Sequence, residues 1–130
     1  VFHLSYAAVL GWSPIVRRML KRKRKSVAKI DEIEDGARAA IVEEAISIFI
    51  FNKAKKRKYF KHANTVDLSL LKQVLDLSSG LEVHKCTSRQ WKDAILQGYE
   101  CFNKLNDKKG GIITVNLDDK SIRFKSLNSI

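Results

Sequence analysis

The stretch from Ala37 to Phe51, ARAAIVEEAISIFIF, limits what this chain can fold into more than any other. On a helical wheel its apolar residues point almost everywhere, interrupted mainly by Arg38, Glu43, Glu44 and Ser47. A helix apolar nearly all round needs other helices over it, so it belongs in the middle of a packed domain, with Ile48 and Phe49 in the core. It is too short for a convincing membrane span, and two adjacent carboxylates at its centre would be costly in lipid. The acidic run DEIED (residues 31–35) precedes it, and Lys53, Lys55, Lys56, Arg57 and Lys58 follow. Acids at a helix start and cations at its end both suit the macrodipole. The charge polarity therefore extends the expected helix to about residues 32–58, bent near Gly36.

The rest of the chain reads as cover for this rod. Residues 1–30 hold no Asp or Glu; an apolar, aromatic run to Trp12 is followed by Ser13 as a helix cap, Pro14 in the first turn, and a helix to about Lys25. Thr65 or Asp67 caps a helix through Leu68, Leu71, Val74 and Leu75, which Gly80 stops. Leu81 and Val83 alternate with Glu82 and His84 like a short strand. Thr87 and Gln90 have capping-box spacing, and the helix they open carries a stripe of Trp91, Ile95, Tyr99 and Phe102 with Ala94 and Leu105. Gly98 lies near that stripe, where a missing side chain lets another backbone come close. Ile113, Val115 and Leu117, then Ile122 and Phe124, alternate with polar residues around Asp118-Asp119-Lys120, which predicts a hairpin. A lone hairpin is marginal in water, so it must lie on the helices, pair with 81–85, or add to another sheet. The expected fold is α+β and mainly helical: a central buried helix (about 32–58), three or more covering helices, and a C-terminal hairpin (about 112–126). The basic, apolar segment 1–30 and the helical core 31–130 together make one domain, large enough to bury a core without disulfide or metal. Starting at Val1, the chain reads as a processed product or a piece of a longer protein.

Candidate chemistry is sparse. Glu43 and Glu44 interrupt the most apolar stretch, and one of them, if buried, could act as a hydrolase residue or metal ligand. Neighbours on a helix lie about 100° apart, so both cannot face one site. The plainer reading puts them on a narrow solvent strip with Ser47, or pairs them with basic side chains. No Glu-x-x-His pattern supports a di-metal bundle. His62, His84, Cys86 and Cys101 lack the close-paired spacing of a zinc module, and Cys101 reads as a small core residue. Gly110-Gly111 precedes a strand rather than opening a helix, so the usual phosphate loop is missing. The sequence assigns no catalytic residue, no metal and no cofactor.

Charge is the stronger signal. Lys plus Arg number 25 against 14 Asp plus Glu, a net +11 that favours polyanionic partners. One cluster is Arg17, Arg18, Lys21, Arg22, Lys23, Arg24 and Lys25; another is Lys53, Lys55, Lys56, Arg57, Lys58 and Lys61, which carries Tyr59, Phe60 and His62. Cations beside aromatics suit phosphate contact with base or sugar stacking. The expected function is a non-catalytic binding domain that holds nucleic-acid phosphates without sequence readout, inside a larger assembly. An alternative makes it membrane-associated, with residues 1–20 as an apolar anchor and 17–29 as a polybasic flank on anionic lipid. Against that anchor stands a simpler reading in which residues 1–12 pack on the Trp91–Phe102 face. A hydrolase acting through Glu43 or Glu44 is a third. The hairpin offers an edge to a protein partner or a second copy. Two cysteines are too few for a disulfide framework and suggest an intracellular protein, or on the alternative the cytoplasmic face of a membrane.

Overall fold

The computed structural model describes residues 1–20 and 37–127. Among them are five α-helices and one two-stranded sheet, the mainly helical α+β architecture expected. In order they are α1 (Phe2–Ser5) running into a π-turn (Tyr6–Leu10), α2 (Pro14–Met19), α3 (Ala37–Ala54), a 3-10 turn (Lys55–Phe60), α4 (Leu68–Leu77), a 3-10 turn (Glu82–Lys85), α5 (Ser88–Asp107), β1 (Ile112–Asn116) and β2 (Ser121–Lys125).

α5 is the element most of the others touch: α1, the π-turn, α4, the Lys55–Phe60 turn and β2 all pack on it. The capping box opens it as its spacing predicts, with Gln90 N donating to Thr87 Oγ1 (3.2 Å) and Thr87 N to Gln90 Oε1 (2.7 Å). Its stripe is buried at Trp91, Ala94, Ile95, Gly98, Tyr99 and Cys101. At Gly98 the close neighbour is a ring rather than a backbone. A Cβ there would lie 2.5 Å from Phe2 Cε1. Phe2 then stacks edge-on against Tyr99 (4.6 Å between centroids) and Phe51 (5.0 Å), joining α1, α3 and α5. Tyr6 and Trp12 complete the centre beside Trp91. Residues 1–12 are therefore core, with Phe2, Tyr6, Ala8, Val9 and Trp12 all buried.

α3 departs from expectation in a more instructive way. Its buried residues are Ala39, Glu43, Ile46, Ser47, Ile50 and Ala54, one face at helical spacing. Ile41 and Ile48 are 67% and 54% exposed, and Phe49 is half-buried. The helix is one-sided by position though nearly featureless by chemistry, so Ile48 is not core and Glu43 is. Its α-helical geometry ends at Ala54, short of residue 58; its expected start at 32–36 lies outside the described residues. Beyond Ala54, Lys58, Tyr59 and Phe60 take left-handed backbone (φ 51, 55 and 54). Non-glycine residues pay roughly 1–2 kcal/mol each for this, and here burial offsets the strain: the turn swings Phe60 and Tyr59 inward onto Tyr99 (5.3 and 6.2 Å).

The remaining differences are local. Ser13 caps α2 by accepting from Val16 N (3.1 Å), with Pro14 in the first turn; the expected continuation to Lys25 lies outside the described residues. Asp67 precedes α4 but makes no side-chain cap, accepting instead from Arg57 Nε (3.0 Å). Residues 82–85, expected as strand, form a 3-10 turn closed by His84 N→Leu81 O (3.1 Å) and Cys86 N→Val83 O (2.9 Å). Both readings bury Leu81 and Val83, which is why alternation alone misleads. The hairpin pairs Ile113 with Phe124 and Val115 with Ile122. That inner face lies on Ala8, Cys101, Val1 and Leu4. Gln97 of α5 pins it, accepting from Ile122 N (2.9 Å) and donating to Lys120 O (3.4 Å). Of the three placements open to the hairpin, the helices are the one taken.

Candidate functional site

The polar centre of the molecule is built on Glu43, whose side chain is wholly buried. Its Oε2 accepts from His3 Nδ1 and from Ser13 Oγ, each at 2.6 Å, and its Oε1 accepts from Ile15 N at 3.0 Å. The first turn of a helix leaves amides without intrahelical partners. Here a carboxylate from α3 takes one of α2's, while Ser13 takes another. A second layer lies behind it: Ser47 Oγ donates to Glu43 O (3.0 Å) and meets Tyr6 OH (3.0 Å). Burial pushes the Tyr6 hydroxyl well above the usual phenol range. His3 also faces Glu44, with Nε2 at 3.3 Å from its carboxylate. The hydrogen bond to Glu43 raises the His3 pKa against the opposing effect of burial, and the Coulomb fields of Glu43 and Glu44 add to it. With both ring nitrogens against carboxylates, the doubly protonated imidazolium is the form that fits.

Glu43 is therefore off the solvent strip that its pattern suggests, and Ser47 with it; Glu44 alone stays exposed. Both oxygens of Glu43 are engaged by donors from the chain itself. A buried charge with three hydrogen-bond donors is tolerable where a lone one is not. The arrangement can hold residues 1–16 on α3. Its carboxylate is wholly buried and faces donors of its own chain.

Beside it, between α1, α3 and α5, is an open pocket of about 600 Å³. Phe51 and Phe102 (5.4 Å between centroids, nearly perpendicular) form an apolar wall. Glu44, Ile48, Asn52 and Lys55 line its α3 side. The four-residue spacing of 44, 48 and 52 puts those three along one stripe of α3, with Lys55 just past its end in the 3-10 turn.

The basic residues singled out by sequence scatter. Arg17 and Arg18 lie on α2, half-buried and exposed respectively; Lys21, Arg22, Lys23, Arg24 and Lys25 lie outside the described residues. Lys53 sits over the Phe49 ring at 5.7 Å. Arg57 pairs with Asp67, and Lys61 with Asp107 (3.5 Å). Lys55, Lys56 and Lys58 are exposed. Tyr59 is no stacking platform: its ring packs on Phe102 (5.8 Å) and its carbonyl accepts from Asn103 Nδ2 (3.2 Å). Phe60 is buried. His62, His84, Cys86 and Cys101 do not converge either: His84 Nδ1 is 3.0 Å from Leu75 O, Cys86 Sγ donates to Leu10 O at 3.8 Å, and Cys101 lies beneath the hairpin. Burial raises both thiol pKa values. Among the described residues no group of three or more His, Cys, Asp and Glu is placed to hold a metal ion.

His3, Ile15 and Asn52 are the participants that sequence reasoning missed. His3 stands forty positions from its partner, and no local period links the two. Ser13 was legible as a cap, but not as a donor to a distant carboxylate.

These features define a helical α+β domain in which the one fully buried carboxylate among the described residues, Glu43, ties the N-terminal segment to α3. The MazG C-terminal domain family matches residues 1–128, and the chain belongs to that family, a domain associated with nucleotide pyrophosphohydrolases. No curated protein and no solved structure matches the chain.

Membership corrects the functional expectation. A polybasic domain for nucleic-acid phosphates is not what a MazG C-terminal domain is, and the aromatics that were to stack on bases are packed inward. The membrane alternative fails because its anchor residues are core, and no described helix is long and apolar enough to cross a membrane. Of the two carboxylates weighed for a hydrolase, Glu43 is buried against His3, Ser13 and Ile15, and Glu44 is exposed and faces His3.

Proposed function

We propose that this chain is a non-catalytic accessory domain of a nucleotide pyrophosphohydrolase. Family membership supplies the enzyme class. One observation supports the accessory role: the only acidic side chain fully buried among the described residues, Glu43, has both oxygens engaged by His3, Ser13 and Ile15 of the same chain. A carboxylate that activates water or carries a metal needs an open face toward substrate. Glu43 instead docks the N-terminal segment, giving a rigid helical body that can seat against or regulate a catalytic partner.

The test is pyrophosphate release. The purified chain is incubated with Mg²⁺ and each common nucleoside triphosphate. No turnover above buffer is expected, whereas the same assay on a MazG enzyme that carries this domain gives pyrophosphate and nucleoside monophosphate. Turnover by the chain alone that co-purifies with it through successive columns would overturn the reading.

A further inference from the structure

We propose that the pocket between α1, α3 and α5 binds a free nucleoside monophosphate, the organic product of a pyrophosphohydrolase. This rests on the accessory-domain reading for the choice of ligand class, and on the pocket itself for the chemistry. At about 600 Å³ its size falls in the range of small-molecule sites. The wall of Phe51 and Phe102 is apolar and aromatic, suited to a planar heterocycle. Ile48, 54% exposed in the middle of α3, stands at the mouth, where a bound base would cover it.

The polar groups are ordered along the helix. Glu44 lies one turn before Ile48, Asn52 one turn after it, and Lys55 most of a turn further. From Ile48 to Lys55 the axial rise is about 10 Å. A base over Ile48 and Phe51 would therefore place a sugar beside the Asn52 amide and a phosphate near the Lys55 ammonium. Glu44, at the other end, meets His3 through Oε2, and its other oxygen would accept from ring or exocyclic N–H groups of a base, the pairing that carboxylates make with such donors. Lys55 and the His3 imidazolium together outnumber Glu44 in the lining, a positive balance that suits a phosphorylated ligand, and the span from Ile48 to Lys55 matches the reach from base to first phosphate.

Equilibrium dialysis of the 130-residue chain tests this at physiological salt without Mg²⁺, against four nucleoside monophosphates, their nucleosides and inorganic phosphate. At least one monophosphate should bind saturably at one site per chain. Its nucleoside should bind about tenfold more weakly or worse, and inorganic phosphate should not displace it. Ile48→Asp and Lys55→Gln change exposed side chains, so both should keep the wild-type melting temperature while weakening binding about tenfold or more. The proposal is overturned if no monophosphate binds, if inorganic phosphate competes on equal terms (general attraction to a basic surface), or if both variants bind as wild type does. None of these outcomes touches pyrophosphate release, so failure here is distinct from failure of the accessory role.

Discussion

Replacing Glu43 by Ala should damage the fold far more than the same change at its neighbour Glu44. The substitution removes the acceptor for Ser13 Oγ, Ile15 N and His3 Nδ1 together. Ser13 is buried and Ile15 half-buried, so neither donor regains full hydration; His3, at 29% side-chain exposure, turns partly to water. Breaking a buried, hydrogen-bonded charge pair costs about 3–5 kcal/mol, and the three donors act as one network, so their separate contributions are not summed. Against a total stability of about 5–15 kcal/mol, that is a large share. For a chain of this length it corresponds to a fall in melting temperature of roughly 10–20 °C. Glu43→Gln keeps the shape and an acceptor and should lose less. Glu44→Ala deletes only an exposed contact to His3 and should stay within about 0.5 kcal/mol of wild type. Urea titrations followed by far-UV circular dichroism read all three, with an unchanged slope showing that the denatured states are comparable. A loss below about 1 kcal/mol for Glu43→Ala, or equal losses at the two positions, would refute the network.

At Gly98 an alanine Cβ would meet the Phe2 ring at 2.5 and 2.7 Å, so Gly98→Ala should destabilise by about 1–3 kcal/mol, and a Phe2→Leu second change should recover part of it in thermal melts. The raised pKa of His3 sets a sign for pH: its contribution is fully present below about 6.5 and is lost as pH rises through the higher folded-state value. Urea midpoints should therefore fall between pH 6 and pH 8 in wild type by more than in His3→Gln; parallel profiles would contradict the ion pair. Ile48→Asp should fold normally, since the side chain is 54% exposed, and a collapsed melt would return Ile48 to the core.

What the sequence disclosed follows from how local each signal is. The capping box, the stripe of α5, the Ser13-Pro14 start and the alternating hairpin each occupy a few consecutive positions, and all four are present. The face that α3 buries was not legible. Apolar residues ring that helix, so the wheel carries no preferred direction, and the choice falls to partners far along the chain. His3 and Ser13 draw Glu43 inward, and Ile41 and Ile48 are left outside as a consequence. The second basic cluster misled for a related reason. Its two aromatics sit between Lys58 and Lys61 in sequence, but the left-handed turn at 58–60 separates them from the cations, sending the rings to Tyr99 and leaving the exposed cations at the surface. The pocket draws Glu44, Ile48 and Asn52 from α3 and Lys55 from the turn that follows it, yet it becomes a pocket only when α1 and Phe102 close its sides.

The central claim is that the buried carboxylate of α3 serves the fold and not a reaction. Adding Mn²⁺ in steps to the isotope-labelled chain tests it most directly, by following paramagnetic broadening of individual amide signals. The account predicts that any broadening of Ser13, Ile15, Glu43 and Ser47 comes from exposed carboxylates nearby such as Glu44, and so is the same in Glu43→Gln as in wild type. Saturable broadening centred on Glu43, abolished by Glu43→Gln, would show a metal reaching that carboxylate and would contradict it.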